Sequence, residues 1–511
     1  MQRSRLFVVG MMLTMVLGVV ACNTAVPTQP TPTLIAVAIL PSIAATETAV
    51  PTPTHTPTPD YTPTPGPSPT ASNTPTKTPV PTNTPAPSAT PTIVPQFDPV
   101  LLVTEPVLRE DLATPATAVP TPVPTFEVEN DNDFTNILLL GSDEPLGNGE
   151  KSDTIIIVSI NRAVPSASMI SIPRDLYVYI PGRNMGKINT ATFYGVETLK
   201  QTILYNFGIP IHYYARVDFA GFENVVDAMD GVDIPVSCEF RGWQLSSPEL
   251  DPEDADNWEV VTLEPAFYHM DGSTALWYVR SRKLSPLGDF DRGRRQQQVL
   301  RAMFNQGIDL GLVTQAPTLW STYRDSVETD LDIGRILQLA SLAPSIRENG
   351  IQNLYLAGKT QPWSYTTQDG VEISAHLPIW EGDDMMAETF SRLYKPPTLN
   401  RAIRAPITVE IVNATGNPDM ALLAADNLAW YGFTPIISEA QPETTENVAT
   451  MVTYYGPNFK GSFNELMAFI FNIRTDQIGL NSEDDLSTNY RIILGADYNP
   501  CVENQLFFNP N

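Results

Sequence analysis

Residues 51–92 read PTPTHTPTPDYTPTPGPSPTASNTPTKTPVPTNTPAPSATPT, the centre of a longer Pro/Thr/Ser tract that follows Cys22. About half of the chain's 48 prolines fall before residue 126. Proline removes backbone donors, and the tract holds too few large apolar residues to offset the entropy of ordering it. No core can form there, so residues 23–130 are expected to be a disordered linker. A hundred such residues, fully extended, would span on the order of 300 Å, a stalk able to lift a domain through a thick wall. Any packed structure must therefore come from the remainder of the 511 residues.

That remainder is long enough for two domains, and a hydrophobic content of 42% supports real cores. A net charge of -27 argues against nucleic acid as a partner. Three cysteines are too few for a disulfide framework. At the N-terminus, Arg3 and Arg5 precede an uncharged apolar run, Leu6 to Val20, which is shorter than the roughly 20 residues of a spanning helix. It ends in VVAC, which resembles a bacterial lipobox with Cys22 as the acylated residue. Residues 1–22 are then a lipoprotein signal and the lipid a membrane anchor. An ordinary signal peptide or a short uncleaved anchor is the other reading. Either way, the rest of the chain is expected at the extracytoplasmic face of the cell membrane.

Folded sequence is expected from about residue 131. NILLLG, TIIIVSI and SMISIP are short β-branched runs bounded by Gly, Asp and Pro, and HYYARVDF is a further strand. TLKQTILYNFG and FENVVDAMDG carry apolar residues at helical spacing and close on glycine. Strands alternating with helices predict an α/β fold, a central sheet flanked by helices, over 131–395.

The polar residues of this region sit at strand ends. Asp143 follows the first strand and Asp153 precedes the second, so adjacent strand ends can bring two carboxylates together around a cation, for which magnesium suits oxygen ligands. Taken alone, the spacing favours the simpler reading that each caps a loop or turn, as Asp commonly does. Arg174 and Asp175 follow the third strand, with Lys187 and Asn189 beyond. Then a chain of strong negative charge places Arg280, Arg282, Lys283, Arg292, Arg294, Arg295 and Arg301 within 22 residues, 280–301. Arg292, Arg295 and Gln296 stand at i, i+3 and i+4, one face of a helix, and Arg294 points elsewhere as a solvated residue. Several planar guanidiniums together match a pyrophosphate.

In this order, GSD, KSDTIIIVSI, SIPRD, KINTA, ALWYVRSRK and DFDRGRRQQQV resemble the LytR-CpsA-Psr family, over about residues 132–395. The resemblance implies an extracytoplasmic phosphotransferase that moves a glycopolymer from a polyprenyl-pyrophosphate carrier onto peptidoglycan, with the prenyl chain in an apolar tunnel beside the sheet. It assigns Asp143 and Asp153 to Mg2+, and Arg174, Lys187, Arg280, Arg282, Arg292, Arg295 and Gln296 to the pyrophosphate. Asp289 matches the acidic residue that opens the last motif. Catalytic candidates are Asp143, Arg174 and Asp175, with Asp143 or Asp175 as the base for the acceptor hydroxyl. Two features depart from the family pattern: Asp291 stands where glycine is usual, and no arginine closely follows Asp143. A lipid-pyrophosphate hydrolase or a non-catalytic lipid- and wall-binding scaffold are the other readings.

Residues 404–501 read as a second, small α+β domain in the order βαβ-β-αβ, resembling in VEIVNATG and ILGADY the C-terminal domain attached to many members of the family. It holds no catalytic constellation. Cys238 and Cys501 lie one in each domain, able to pair in an oxidising exterior, and the sequence leaves that open. Variable loops such as SSPELDPEDADNWE would carry sugar contacts.

Overall fold

A strand that is apolar at every position, such as NILLLG, is stable only where both of its faces are covered. The computed structural model describes residues 122–126, 133–143, 151–247, 249–312, 327–366, 370–379, 386–395, 407–439, 448–455, 463–481 and 488–502. In it, β2 (Thr154–Asn161) lies between β1 (Phe134–Ser142) and β3 (Ser166–Ser171) and is antiparallel to both. A small hairpin, β4 (Tyr177–Tyr179) with β5 (Met185–Lys187), leads to α1 (Val196–Phe207), then β6 (Tyr213–Asp218) and α2 (Phe219–Ala228). β6 lies parallel to β1 on its other side. The six-stranded sheet runs Glu328–Thr329, β6, β1, β2, β3, Ile351–Leu354.

Alternation along the strands sorts two cores. Ile137, Leu139 and Ile156 face α2 and four later elements: α3 (Gly272–Arg280), α4 (Asp289–Asp309) and the helices Ile333–Ala340 and Ala343–Asn349. Leu138, Leu140, Ile155 and Ile157 face α1 and the helix Met386–Ser391. The expected α/β/α layering is what these residues build. Between α2 and α3 the chain makes β7 (Val232–Val236), a projecting hairpin of β8 (Phe240–Leu245) and β9 (Trp258–Leu263), and β10 (Ala266–Met270), which pairs with β7.

Gly208 ends α1 in the left-handed region at φ 68°, donating its N–H to the Leu204 carbonyl, as the closing glycine predicted. A side chain there would also collide with the Pro124 carbonyl. Pro124 lies against the domain because Val123 N donates to Tyr205 O at 2.8 Å and Phe126 packs on Tyr394. The packed chain thus starts before the boundary expected at residue 130. Cys22 and the Leu6–Val20 run lie outside the described residues. Among the described residues no helix is long and apolar enough to cross a membrane.

The second domain is a five-stranded sheet in the order Thr434–Ile437, Thr408–Asn413, Tyr490–Leu494, Met451–Tyr455, Gly479–Asn481. Its helices, Pro418–Trp430 and Asn464–Phe471, bury Leu423, Leu428, Met467 and Ile470 against Val409, Ile411 and Ile492. This is the expected order with one short extra strand, Gly479–Asn481. The two domains share a seam. Cys238 and Cys501 are disulfide-bonded, with Cα atoms 4.4 Å apart across 263 residues of sequence. The Tyr355 and Trp430 rings stack at 6.2 Å, and Arg301 meets Asp426 at 3.5 Å.

Candidate anion-binding active site

The functional candidates gather where β1 ends, β2 begins and β3 ends, under the N-terminus of α4. Register explains the gathering. Gly141 pairs with Thr154 across β1 and β2, and Asp153 N donates to Gly141 O at 3.0 Å. A cleft of about 160 Å³ opens here, lined by Gly141, Asp153, Thr154, Arg174, Phe219, Arg280, Arg282, Arg292 and Gln296. Its wall carries four guanidiniums and one carboxylate. Arg292 is buried, Arg174 half-buried, and Arg280 and Arg282 exposed, so the cleft offers a concentration of positive charge to an anion from solvent.

Each arginine is aimed by a neighbour. Arg174 Nη1 bonds Asp153 Oδ2 at 2.5 Å. Its Nε lies 3.6 Å from Asp289 and 3.7 Å from Asp175, too far for hydrogen bonds, and is a buried donor without a partner. Burial opposes the Arg174 charge, yet Asp153, Asp289 and Asp175 together hold its pKa above the ordinary arginine value. Arg292 is buried; its Nη2 donates to the Asp153 carbonyl at 3.0 Å and to Asp289 at 3.2 Å. Burial lowers its pKa, opposed by Asp289 and assisted by the charge of Arg174. Arg280 closes α3 and stacks on Phe219 at 3.9 Å. Burial lowers its pKa against the pull of Asp143, Asp153 and Glu223. Ser281 is extended after α3, so Arg282 also turns into the cleft, 3.5 Å from Asp289. The R-x-R spacing works here as a helix end plus one extended step, not as a strand.

Asp289 is thus a hub for Arg174, Arg282 and Arg292. Gln296 lines the cleft one turn beyond Arg292 and donates to Thr154 Oγ1 at 2.9 Å.

Arg295 departs from the expectation. It is turned away from the cleft: Nε donates to Tyr278 O at 2.9 Å, Nη1 to Ser285 Oγ at 3.0 Å, and Nη2 to Ser281 O. Its guanidinium also stacks over Phe240 at 4.9 Å, and burial pushes its pKa down to about 10. All of its nitrogens serve the 278–285 turn that carries Arg280 and Arg282. The shared helix face holds for Arg292 and Gln296 only, because i+3 and i+4 lie about 100° apart around the axis, on opposite sides of i. Arg294 is half-buried, not solvated, and its charge acts on Tyr355 and Asp426 at the domain seam. Asp291, standing where glycine was expected, accepts Leu287 N–H at 2.9 Å and braces the turn into α4.

Lys187 and Asp175 pair at 2.7 Å beside the cleft and do not line it. Asp143 is exposed, two residues past Gly141, close enough to Arg280 to affect its charge. It does not line the cleft, whereas Asp153 does. Among the described residues no group of three or more His, Cys, Asp or Glu side chains forms a metal cage. Two carboxylates beside a phosphate site still fit magnesium, which commonly takes one or two carboxylates plus substrate phosphate oxygens and water.

Three neighbours carried no sequence signal. Thr154 and Phe219 belong to ordinary strand and helix starts. His376, in the strand Glu372–Pro378, donates its backbone N–H to Asp175 O at 2.9 Å, and its ring packs edge-on to Phe290. Two hundred residues separate it from Asp175, so only pairing across the fold reveals it.

A narrow recess of about 20 Å³, lined in part by Arg292, Gly293 and Gln296, runs under α4. Further along the same helix, Leu300 and Phe304 help line a small apolar cavity of about 50 Å³ with Ile137, Leu139, Val158 and Met169 of the sheet. Gln296 and Phe304 are about 12 Å apart along the helix axis.

Known proteins place this architecture. The LytR_cpsA_psr family model matches residues 110–376, and the LytR cell envelope-related transcriptional attenuator model matches residues 406–498. The chain is similar to the polyisoprenyl-teichoic acid–peptidoglycan teichoic acid transferase TagU of Oceanobacillus iheyensis, 32% identical over 49% of this chain and 78% of that protein. It is also similar to the regulatory protein MsrR of Staphylococcus aureus, 32% identical over 41% of this chain and 60% of that protein. Among solved structures, B. subtilis TagV aligns with a TM-score of 0.40 and 24% identity, over 52% of this chain and 96% of that one. The family model covers half of the chain, and the chain is a member of the LytR-CpsA-Psr family.

Proposed function

We propose that this protein transfers a glycopolymer from a polyprenyl-pyrophosphate carrier to a hydroxyl of peptidoglycan, forming a phosphodiester. The observation that carries this reading is the placing of two unlike spaces along one helix. Four guanidiniums face one carboxylate at the N-terminal end of α4, and an apolar cavity lies along the same helix beyond them. A polyprenyl pyrophosphate has that polarity, an anionic head on an apolar chain. Relatives bear the name of teichoic acid transferases acting on polyisoprenyl-linked polymer and peptidoglycan.

Phosphoryl transfer needs positioning and charge stabilisation more than covalent work from the protein. Arg174, with its unmade Nε–H, and Arg292 grip the phosphates from the sheet side, and Arg280 and Arg282 from the turn. Gln296 holds Thr154 and so the start of β2. The acceptor oxygen attacks the glycan-bearing phosphorus, the bond to the second phosphate breaks, and polyprenyl monophosphate leaves. The hydroxyl proton goes to a carboxylate. Asp143 and Asp175 are the two candidates; Asp175 has one oxygen held by Lys187 at 2.7 Å, and with Mg2+ on Asp143 the proton would fall to Asp175. Asp143 and Asp153 would hold Mg2+, which when bound neutralises phosphate charge. Arg295 is a positioning residue for Arg280 and Arg282. Cys22 would anchor the chain by lipid to the outer face of the cell membrane, with residues 23 to about 121 as the stalk.

The test incubates the full chain in detergent with a lipid-pyrophosphate glycan and peptidoglycan fragments. Linked glycan is the expected product, lost on chelation and regained with magnesium. Free phosphoglycan would make it a hydrolase, and intact bound lipid a scaffold.

A further inference from the structure

A groove of about 730 Å³ opens beside the anion cleft, between the β8–β9 hairpin and the end of α3. Arg280 and Arg282 line both spaces, so the groove and the cleft adjoin. Three indoles line it: Trp243, Trp258 and Trp277. Trp277 Nε1 donates to Trp243 O at 2.8 Å and Trp258 Nε1 to Pro252 O at 3.0 Å. These bonds satisfy both indole N–H groups within the protein and hold the rings in place. Trp243 and Trp258 remain 42% and 37% exposed. Two large rings left in water on a two-stranded ribbon add little to its stability, whereas they offer flat apolar faces to a ligand.

The hairpin is seated deliberately close. A Cβ on Gly242 would lie 2.9 Å from both Ser281 Oγ and the Trp277 ring, so only glycine lets the ribbon rest on the end of α3. Glu223, Gln244 and Glu253 supply hydrogen-bonding groups to the same walls. The stretch 246–263 carries six acidic residues and no basic one.

We propose that this groove binds the acceptor, an uncharged N-acetylhexosamine glycan strand of peptidoglycan, and presents its hydroxyl to the phosphorus held by Arg280 and Arg282; this rests on the transferase reading above. The C–H face of a pyranose ring is apolar and flat, matching an indole, while its hydroxyls and amides reach Gln244 and the carboxylates. The groove's walls mix Glu223 and Glu253 with Arg280, Arg282 and Lys283, so recognition of the strand rests on the indole faces and the hydrogen-bonding groups. The two arginines shared with the cleft put the strand beside the reacting phosphate.

The measurement is calorimetric titration of peptide-free peptidoglycan oligosaccharides into the full chain in detergent, with polyprenyl pyrophosphate titrated in parallel. Trp243→Ala and Trp258→Ala should weaken oligosaccharide binding roughly ten-fold and leave polyprenyl pyrophosphate binding unchanged. Trp258→Phe, which keeps a ring, should retain most of the affinity and guards against misfolding of the alanine variant. The inference is overturned if the wild-type chain does not bind the oligosaccharide, or if the alanine variants bind it as tightly as wild type. It is also overturned if they weaken a glycan-bearing lipid donor instead. Tryptophan-dependent oligosaccharide binding without any transfer would support the groove and refute the transferase reading.

Discussion

One helix, α4, serves two regions that use the same residue type to opposite ends. In the cleft, Arg292 joins three other guanidiniums in a wall holding a single carboxylate. At the domain seam, Arg301 meets Asp426 at 3.5 Å and covers the Trp430 ring at 4.8 Å, with the charge of Arg294 acting on the same carboxylate. The seam arginines have a carboxylate and aromatic partners from the second domain, closed by a disulfide. The cleft arginines line an open space, and each region holds a buried donor without a hydrogen-bond partner, on Arg174 and on Arg301. Arginine packed under a second domain reads as structure; arginine lining an open cleft reads as a binding site. Residue identity does not separate the two, whereas what covers the side chain does.

The largest expected effect tests the cleft side. Arg292→Ala should lower the transfer rate by about 100-fold, the scale of losing one donor to a developing phosphate charge. Arg294→Ala should leave transfer within about three-fold of wild type, as for a residue outside the reacting site. Circular dichroism checks that both fold. If Arg294→Ala is as damaging as Arg292→Ala, the two faces of α4 are not separable and the comparison fails.

Next comes the seam. Cys501→Ser opens a loop of 263 residues. The chain-entropy account assigns a closure of that length on the order of 5 kcal/mol. The variant should melt at a lower temperature, with transfer retained while it remains folded. Unchanged melting would show that side-chain packing alone holds the seam. A smaller loss, about 2 kcal/mol, is expected for Arg301→Ala, which removes a half-buried ion pair and a cation–π contact. A double-mutant cycle with Asp426→Asn sharpens it, since a coupling energy near zero would remove the ion pair from the account.

The smallest effect is in pH. Burial pushes the His376 pKa below 6.5, against the pull of Asp175 and Asp289 and with a further push from Lys187. The unfolded chain then takes up that proton more readily than the folded one. Stability falls as pH drops through the window beneath 6.5, and His376→Gln should flatten that slope in urea melts taken at several pH values. An unaltered slope would assign the acid sensitivity to other groups.

Much of this was legible in the sequence because its cues are local. The β-branched runs are β1, β2 and β3, and the glycine after NF caps α1. Asp153, Arg174, Arg280, Arg282, Arg292 and Gln296 line one cleft, as their spacing and the family resemblance led one to expect. Arg295 was misassigned because helical periodicity gives an angle and not a partner. Three carbonyl and hydroxyl oxygens of the 278–285 turn capture its guanidinium, and no periodicity encodes that turn's path. Arg294 was misread as solvated for a similar reason. The domain that covers it lies more than a hundred residues further along the chain.

What the sequence determined by itself, then, is where cores can form and which charges stand at strand ends, since burial periodicity and turn chemistry act over a few residues. Tertiary structure alone decided which arginines face an open cleft, which face the second domain, and that Cys238 reaches Cys501. Those outcomes depend on distances across the fold, and charge and reactivity depend on the partners found there.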